Sequence, residues 1–180
     1  MPVQLLLSML RAPASTGAVL PSSRALATAM ARTAIGADLI VELGAGTGPV
    51  TRALLEQMPG VPLIAVELQP DLAQMLQRRF PEVDVRLAPA DQVIDALGEP
   101  EGVVVLVSSL PFRSLPRPVR SETIASICRF LLADPQRRLV QFTYQPRAPF
   151  RPPPGLRWHR RMSVWANTPP AGVWELCAPT

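Results

Sequence analysis

Three observations in the 180-residue sequence predict an α/β fold with a largely parallel, seven-stranded sheet and helices on both faces. Short runs rich in β-branched residues alternate with stretches of helical apolar spacing from Asp38 onward, as expected of strands joined by crossover helices. A glycine-rich stretch, Gly44-Ala45-Gly46-Thr47-Gly48, falls where the first strand ends and a helix begins. Two β-like segments follow the last helix with no helical spacing between them, which predicts a C-terminal antiparallel hairpin.

Taken in order, the first strand is Asp38 to Leu43, a buried apolar run, and the helix Pro49 to Met58 follows. Strand Pro62 to Leu68, helix Asp71 to Phe80, strand Val83 to Leu87, a short helix Asp91 to Leu97 and strand Gly102 to Ser108 continue the alternation. Helix Pro118 to Leu132 leads into strand Arg138 to Tyr144, and Leu156 to Asn167 with Gly172 to Cys177 form the hairpin. Between them the proline-rich stretch Arg147 to Gly155 reads as an extended, exposed loop. Ahead of the sheet stand two helical pieces, Val3 to Arg11 and Ser22 to Thr33, the second with Ser22 or Ser23 as its N-cap. Residues 1–37 are thus expected to be a helical lid or membrane-binding segment, and residues 38–180 one catalytic domain.

The basic residues are 18 arginines and no lysine, against 14 carboxylates. Every positive side chain is therefore a guanidinium, which grips phosphate oxygens through paired hydrogen bonds. The longest apolar runs, such as Val103 to Leu110, fall far short of the roughly 20 residues of a membrane span. Cys128 and Cys177 lie far apart without metal-ligand partners nearby, so neither a zinc site nor a disulfide framework is expected, and a reducing cytoplasm is the expected compartment.

Glycine at a strand–helix junction lets the turn tighten and the backbone approach a ligand at the carboxyl end of the strand, where open α/β sheets bind their ligands. The spacing Gly44, Gly46, Gly48, with Pro49 in place of a third dinucleotide-type glycine, disfavours a pyrophosphate site, and the absence of lysine excludes a P-loop. Glu67 closes the second strand 23 residues after Gly44, where a carboxylate can accept hydrogen bonds from ribose hydroxyls.

This loop and its distal acid resemble the class I S-adenosylmethionine methyltransferases, whose fold is Rossmann-like. Three further segments resemble the bacterial phospholipid N-methyltransferases: Gly17 to Leu26, Ser108-Ser109-Leu110-Pro111-Phe112, and Gln141-Phe142-Thr143-Tyr144. The resemblance implies stepwise methylation of phosphatidylethanolamine toward phosphatidylcholine, with S-adenosylmethionine as methyl donor. It implies that Glu42, Gly44, Ala45, Gly46 and Gly48 surround the methionine part of the donor, that Glu67 with Leu68 holds the ribose, and that Ser108 lies beside it. Asp91 is the expected adenine contact, although Ala88-Pro89-Ala90-Asp91 departs from the family's Gly-Asp-Ala. Ser109, Leu110 and Tyr144 are the expected catalytic residues. Ser22, Ser23, Pro111, Phe112, Arg113 and Arg147 are expected to meet the lipid, with Arg117 and Arg151 also flanking the active-site loops.

The segment Ser108 to Phe112 also resembles the Asn-Leu-Pro-Tyr loop of adenine amino-methyltransferases, with serine for asparagine and phenylalanine for tyrosine. In both cases acceptors would hold the N–H bonds so that the nitrogen lone pair meets the methyl group. A primary amine has a lysine-like pKa, so neutralising it at pH 7 costs about 4 kcal/mol. No Asp or Glu lies near the Ser108 loop in sequence, which points to dehydration and repulsion by the sulfonium rather than a carboxylate base. Tyr144, the only tyrosine, is read as the residue orienting the amine, and His159, among Trp158, Arg160 and Arg161, as a hairpin residue rather than a base.

The expected partner is a phospholipid in a membrane surface and not nucleic acid. The expected setting is a monomer bound peripherally to the inner face of the cell membrane, aided by Val3, Leu6, Leu7 and Leu10 at helical spacing. Three other readings stand beside it: an rRNA adenine N6-dimethyltransferase, an ornithine-lipid N-methyltransferase, and a noncatalytic cofactor-binding module.

Overall fold

The computed structural model describes residues 23–179. The expected helix Val3 to Arg11, the stretch 13–21 and Ser22 lie outside the described residues.

The chain runs α1 (Arg24–Thr33), β1 (Leu39–Leu43), α2 (Pro49–Gln57), β2 (Leu63–Glu67), α3 (Pro70–Arg79), β3 (Asp84–Leu87), α4 (Ala90–Asp95), β4 (Val104–Ser108), α5 (Arg117–Ala133), β5 (Arg138–Thr143), β6 (Arg157–Val164) and β7 (Ala171–Cys177). The seven strands form one sheet in the order β3-β2-β1-β4-β5-β7-β6. All pairings from β3 through β5 are parallel, whereas β7 runs antiparallel to both β5 and β6. The α/β, largely parallel sheet and its antiparallel C-terminal pair are as the sequence predicts.

Both faces of the sheet are covered, so the central strands are apolar on both sides rather than alternating. Ile40, Val105, Val107 and Val140 face Leu26 and Met30 of α1, Leu54 of α2 and Leu76 of α3. Their neighbours Val41, Leu43, Leu106 and Leu139 face Val93 and Ile94 of α4 and Ile127 and Leu131 of α5. The edges are blunted by charge: Asp84 pairs with Arg86 on β3, and β6 carries exposed Arg157, His159, Arg160 and Arg161.

α1 starts at Ser23, whose hydroxyl accepts from the Leu26 amide at 3.2 Å, and its Leu26 and Met30 are fully buried. This helix is part of the core packing on the sheet.

The connection from β5 to β6 departs from expectation. These two strands run parallel with β7 between them, so the chain must return across the sheet, a task usually given to a helix. Pro149, Pro152, Pro153 and Pro154 deny it the amides a helix needs, and the return is made by extended chain instead. It is not simply exposed. The Phe150 ring packs edge-on between Phe112 at 5.3 Å and Trp158 at 5.1 Å, and the Trp158 indole N–H donates to the Phe150 carbonyl at 3.0 Å. Phe150 and Leu156 supply the apolar cover that a helix would otherwise bring.

Candidate active site

The parallel strands end on one edge, and the site is built there from the turns after β1, β2, β3 and β4. After β1 the glycines adopt positive φ, +78° at Gly44, +56° at Gly46 and +82° at Gly48. Their reasons differ. A Cβ on Gly44 would stand 2.9 Å from Leu110 Cδ2, so this glycine admits the β4 loop beside the β1 turn. A Cβ on Gly48 would meet Phe80 at 2.7 Å and Leu76 at 2.9 Å, so Gly48, the N-cap of α2, seats that helix on α3. Nothing lies within 4 Å of where a Gly46 Cβ would be, which leaves open space above the loop.

Glu67 ends β2 with 5% of its surface exposed. The Gly46 amide donates to its Oε2 at 2.8 Å, and the Leu68 and Gln69 amides donate to Oε1 at 2.8 and 2.9 Å. Three backbone donors fix this carboxylate in place and tie the first loop to the second. With two lone pairs on each oxygen, Oε1 is saturated and Oε2 keeps one acceptor position for a ligand.

Glu42 serves differently from the sequence expectation. It is fully buried, its Oε2 accepts from the Thr51 hydroxyl at 2.6 Å, and its Oε1 has no partner. Burial pushes its pKa up to about 7, against the pull of the Thr51 hydrogen bonds. Glu42 braces the first turn of α2 from beneath the loop and does not line the cavity; nor do Gly48 and Ser108.

The opposite wall is the loop after β4. The Ser109 amide donates to the Leu43 carbonyl at 2.9 Å, and the buried Ser108 hydroxyl accepts from the Leu110 amide at 3.2 Å. The Leu110 carbonyl accepts twice, from the Phe112 amide at 3.0 Å and from Gln141 Nε2 at 3.2 Å. Both lone pairs of that carbonyl are therefore used within the protein, and neither is left for a ligand. Gln141 is 3% exposed and its Oε1 has no partner.

Two cavities meet at Ser109, Leu110 and Pro111. The larger, about 380 Å³, is lined by Gly44, Ala45, Gly46, Glu67, Leu68 and Asp91 among others, so these six expected donor-site residues stand together. The smaller, about 270 Å³, brings in Phe112, Arg113 and Tyr144, and no carboxylate lines it among the described residues. The Tyr144 ring rests edge-on against Phe142 at 5.4 Å. Arg147 lines neither; it stands with Arg113 on a third, outer groove. Ser23 is engaged as the cap of α1, and His159 is exposed on the edge strand and lines neither cavity. Sequence reasoning missed Gln69 and Leu72 beyond β2, Val119 and Thr123 of α5, and Gln141 of β5, all of which line a cavity. Only Gln141 carried a signal, a polar residue inside an apolar strand. Among the described residues no cluster fit to hold a metal is present, and no helix is long and apolar enough to cross a membrane.

No family model matches the chain. It is 35% identical over 95 residues to an ornithine lipid N-methyltransferase of Singulisphaera acidiphila, covering 48% of each chain. It is also 35% identical over 135 residues to ribosomal RNA small subunit methyltransferase A of Gloeobacter violaceus, covering 71% of this chain and 44% of that one. The chain thus spans about half the length, or less, of these curated relatives. Among solved structures, a TehB-like S-adenosylmethionine-dependent methyltransferase from Corynebacterium glutamicum matches 98% of this chain and 98% of its own, with a TM-score of 0.60 at 16% identity. Strand order, glycine loop and structural likeness together give this chain the Rossmann-like fold of the class I S-adenosylmethionine methyltransferases.

Proposed function

We propose that this chain transfers a methyl group from S-adenosylmethionine to the amine of a membrane-lipid headgroup, with phosphatidylethanolamine and its mono- and dimethyl forms as the substrates. The observation that carries this reading is the meeting of two cavities at one loop: a larger one with a glycine turn and a fixed carboxylate, and a smaller one without any acid. The residues fit the donor. Open space above Gly46 admits it, the free position on Glu67 Oε2 suits a ribose hydroxyl, and Leu68, Ala88 and Asp91 bound the far end, where an adenine would lie.

When bound, S-adenosylmethionine supplies an electrophilic methyl group. The protein's part is to present a neutral amine to it. The smaller cavity offers the Ser109, Thr143 and Tyr144 hydroxyls and the Gln141 amide, which accept N–H bonds without attracting a proton. An acid there would stabilise the ammonium form and block the lone pair; its absence keeps the amine reactive. Gln141, by holding the Leu110 carbonyl, keeps the shared loop in register with the glycine turn. On this reading Arg113 and Arg147 meet the headgroup anion, and the segment containing Val3, Leu6, Leu7 and Leu10 is the membrane contact or lid at the inner face of the membrane.

The long match to a ribosomal RNA methyltransferase supports a second reading, N6-dimethylation of an rRNA adenine. Ser109 and Phe112, where such enzymes carry asparagine and tyrosine, weigh against it. The match to an ornithine lipid enzyme supports the lipid-amine class with a different backbone. Purified protein incubated with S-adenosylmethionine and phosphatidylethanolamine liposomes, beside ornithine-lipid and rRNA reactions, separates these by mass spectrometry. Methylated phosphatidylethanolamine is the expected product; methylated RNA with untouched lipid would overturn the reading.

A further inference from the structure

Beyond the two cavities, an open groove of about 1160 Å³ runs between α5 and the proline-rich return from β5 to β6. One face of α5, from Arg120 through Ile124 to Cys128, forms its floor, about 12 Å long at the rise of an α-helix. Pro149, Phe150 and Pro152 to Pro154 form the facing wall.

Two features of the groove are unusual together. Arg113, Arg120, Arg147 and Arg151 all line it, no carboxylate does, and among the described residues none of the four is in an ion pair. The ion pairs among the described residues lie elsewhere: Arg86 with Asp84, Arg129 with Asp95, and Arg138 and Arg161 with Glu175. Glu122, the one acid on this stretch of α5, is exposed and outside the lining. Four unneutralised guanidiniums against an apolar floor are complementary to an anion that carries an apolar chain. The groove is also continuous with the site, because it shares Phe112, Arg113 and Pro149 with the smaller cavity.

We propose that this groove binds the phosphate and acyl chain of the lipid whose amine enters the smaller cavity, a proposal that rests on the lipid-amine reading above. The phosphate lies among the four arginines, and the chain follows Ile124, Ala125 and Cys128 along α5. Arg120 and Arg151 thereby become substrate residues alongside Arg113 and Arg147. A polynucleotide fits less well. It needs aromatic faces for its bases, and here Phe112 and Phe150 are packed edge to face on each other.

The test is binding of alkyl phosphates without S-adenosylmethionine, so that it does not depend on turnover. Calorimetric titration with octyl, decyl and dodecyl phosphate, below their micellar concentrations, should show affinity rising about fourfold per methylene. Arg120→Ala and Arg151→Ala should each weaken dodecyl phosphate about tenfold. Ala125→Trp, at an exposed position that tolerates a larger side chain, should abolish the gain with chain length while circular dichroism stays unchanged. Inorganic phosphate binding as tightly as dodecyl phosphate would overturn the proposal, as would affinity independent of chain length or displacement of the alkyl phosphate by an RNA hairpin. Binding in the expected pattern by a protein that methylates no lipid amine would retain the groove and sink the methylation reading. Methylation of phosphatidylethanolamine with wild-type KM by all three variants would do the reverse.

Discussion

Glu42 shows how a residue of the most legible motif acts out of sight of the ligand. Its carboxyl is buried against Thr51 with a pKa raised to about 7. The folded state therefore holds this proton more tightly than the unfolded chain. Stability is unpenalised below about pH 4.5, falls as pH rises toward 7, and carries the full cost, about 3 kcal/mol, above it. Glu42→Gln keeps the Thr51 hydrogen bond without the charge, so thermal melts from pH 5 to 8.5 should show a flatter profile and a higher Tm than wild type at the alkaline end. A wild-type slope in the variant would contradict this account. The glycines make a second contrast. Gly48→Ala drives a methyl into Phe80 and Leu76 at a positive φ and should cost about 2–4 kcal/mol of stability. Gly46→Ala meets no neighbour and should cost about 1–2 kcal/mol, from φ alone. Chemical denaturation of the two variants measures the difference, and equal losses would remove the packing role assigned to Gly48.

At the level of elements, β1, its glycine turn and Glu67 were readable because each is a local signal: an apolar run, a glycine punctuation, an acid at a strand end. Strand and helix limits agree to within a residue or two, as with β2, expected over Pro62 to Leu68 and observed as Leu63–Glu67, except at the end of β6, expected to reach Asn167 and observed to stop at Val164. Spacing alone does not reveal which glycine faces the cavity and which faces a helix, so the sequence groups Gly48 and Glu42 with the cavity residues although neither lines the cavity. Gln141, Val119 and Thr123 were not readable as site residues, because β5 and α5 reach the site only through strand order and helix docking. The proline-rich return reads as exposed because proline excludes helix; that Phe150 and Leu156 anchor it in the core is a tertiary fact. The start of α1 gives this scale its own test. Ser23 caps the helix, so Ser23→Ala should lower stability by about 1 kcal/mol and leave the lipid KM unchanged. A raised KM at unchanged stability would favour the substrate-binding role that the resemblance implies for Ser23.

Across the whole molecule, the candidate site occupies one edge of the sheet. Parallel strands deliver four turns to that edge, α5 separates the larger cavity from the arginine groove, and the Ser109–Phe112 loop is shared by all three spaces in turn. The central claim is that donor and amine occupy separate neighbouring spaces, with Tyr144 serving only the second. Measuring S-adenosylmethionine affinity by calorimetry and phosphatidylethanolamine methylation by mass spectrometry on Tyr144→Phe, with Gly46→Arg as the control that fills the larger cavity, tests it most directly. The account predicts that Gly46→Arg loses donor binding and turnover together. Tyr144→Phe should keep wild-type donor affinity while turnover falls about five- to tenfold, the worth of one hydrogen bond. Wild-type turnover in Tyr144→Phe, or a loss of donor binding equal to its loss of turnover, would contradict it.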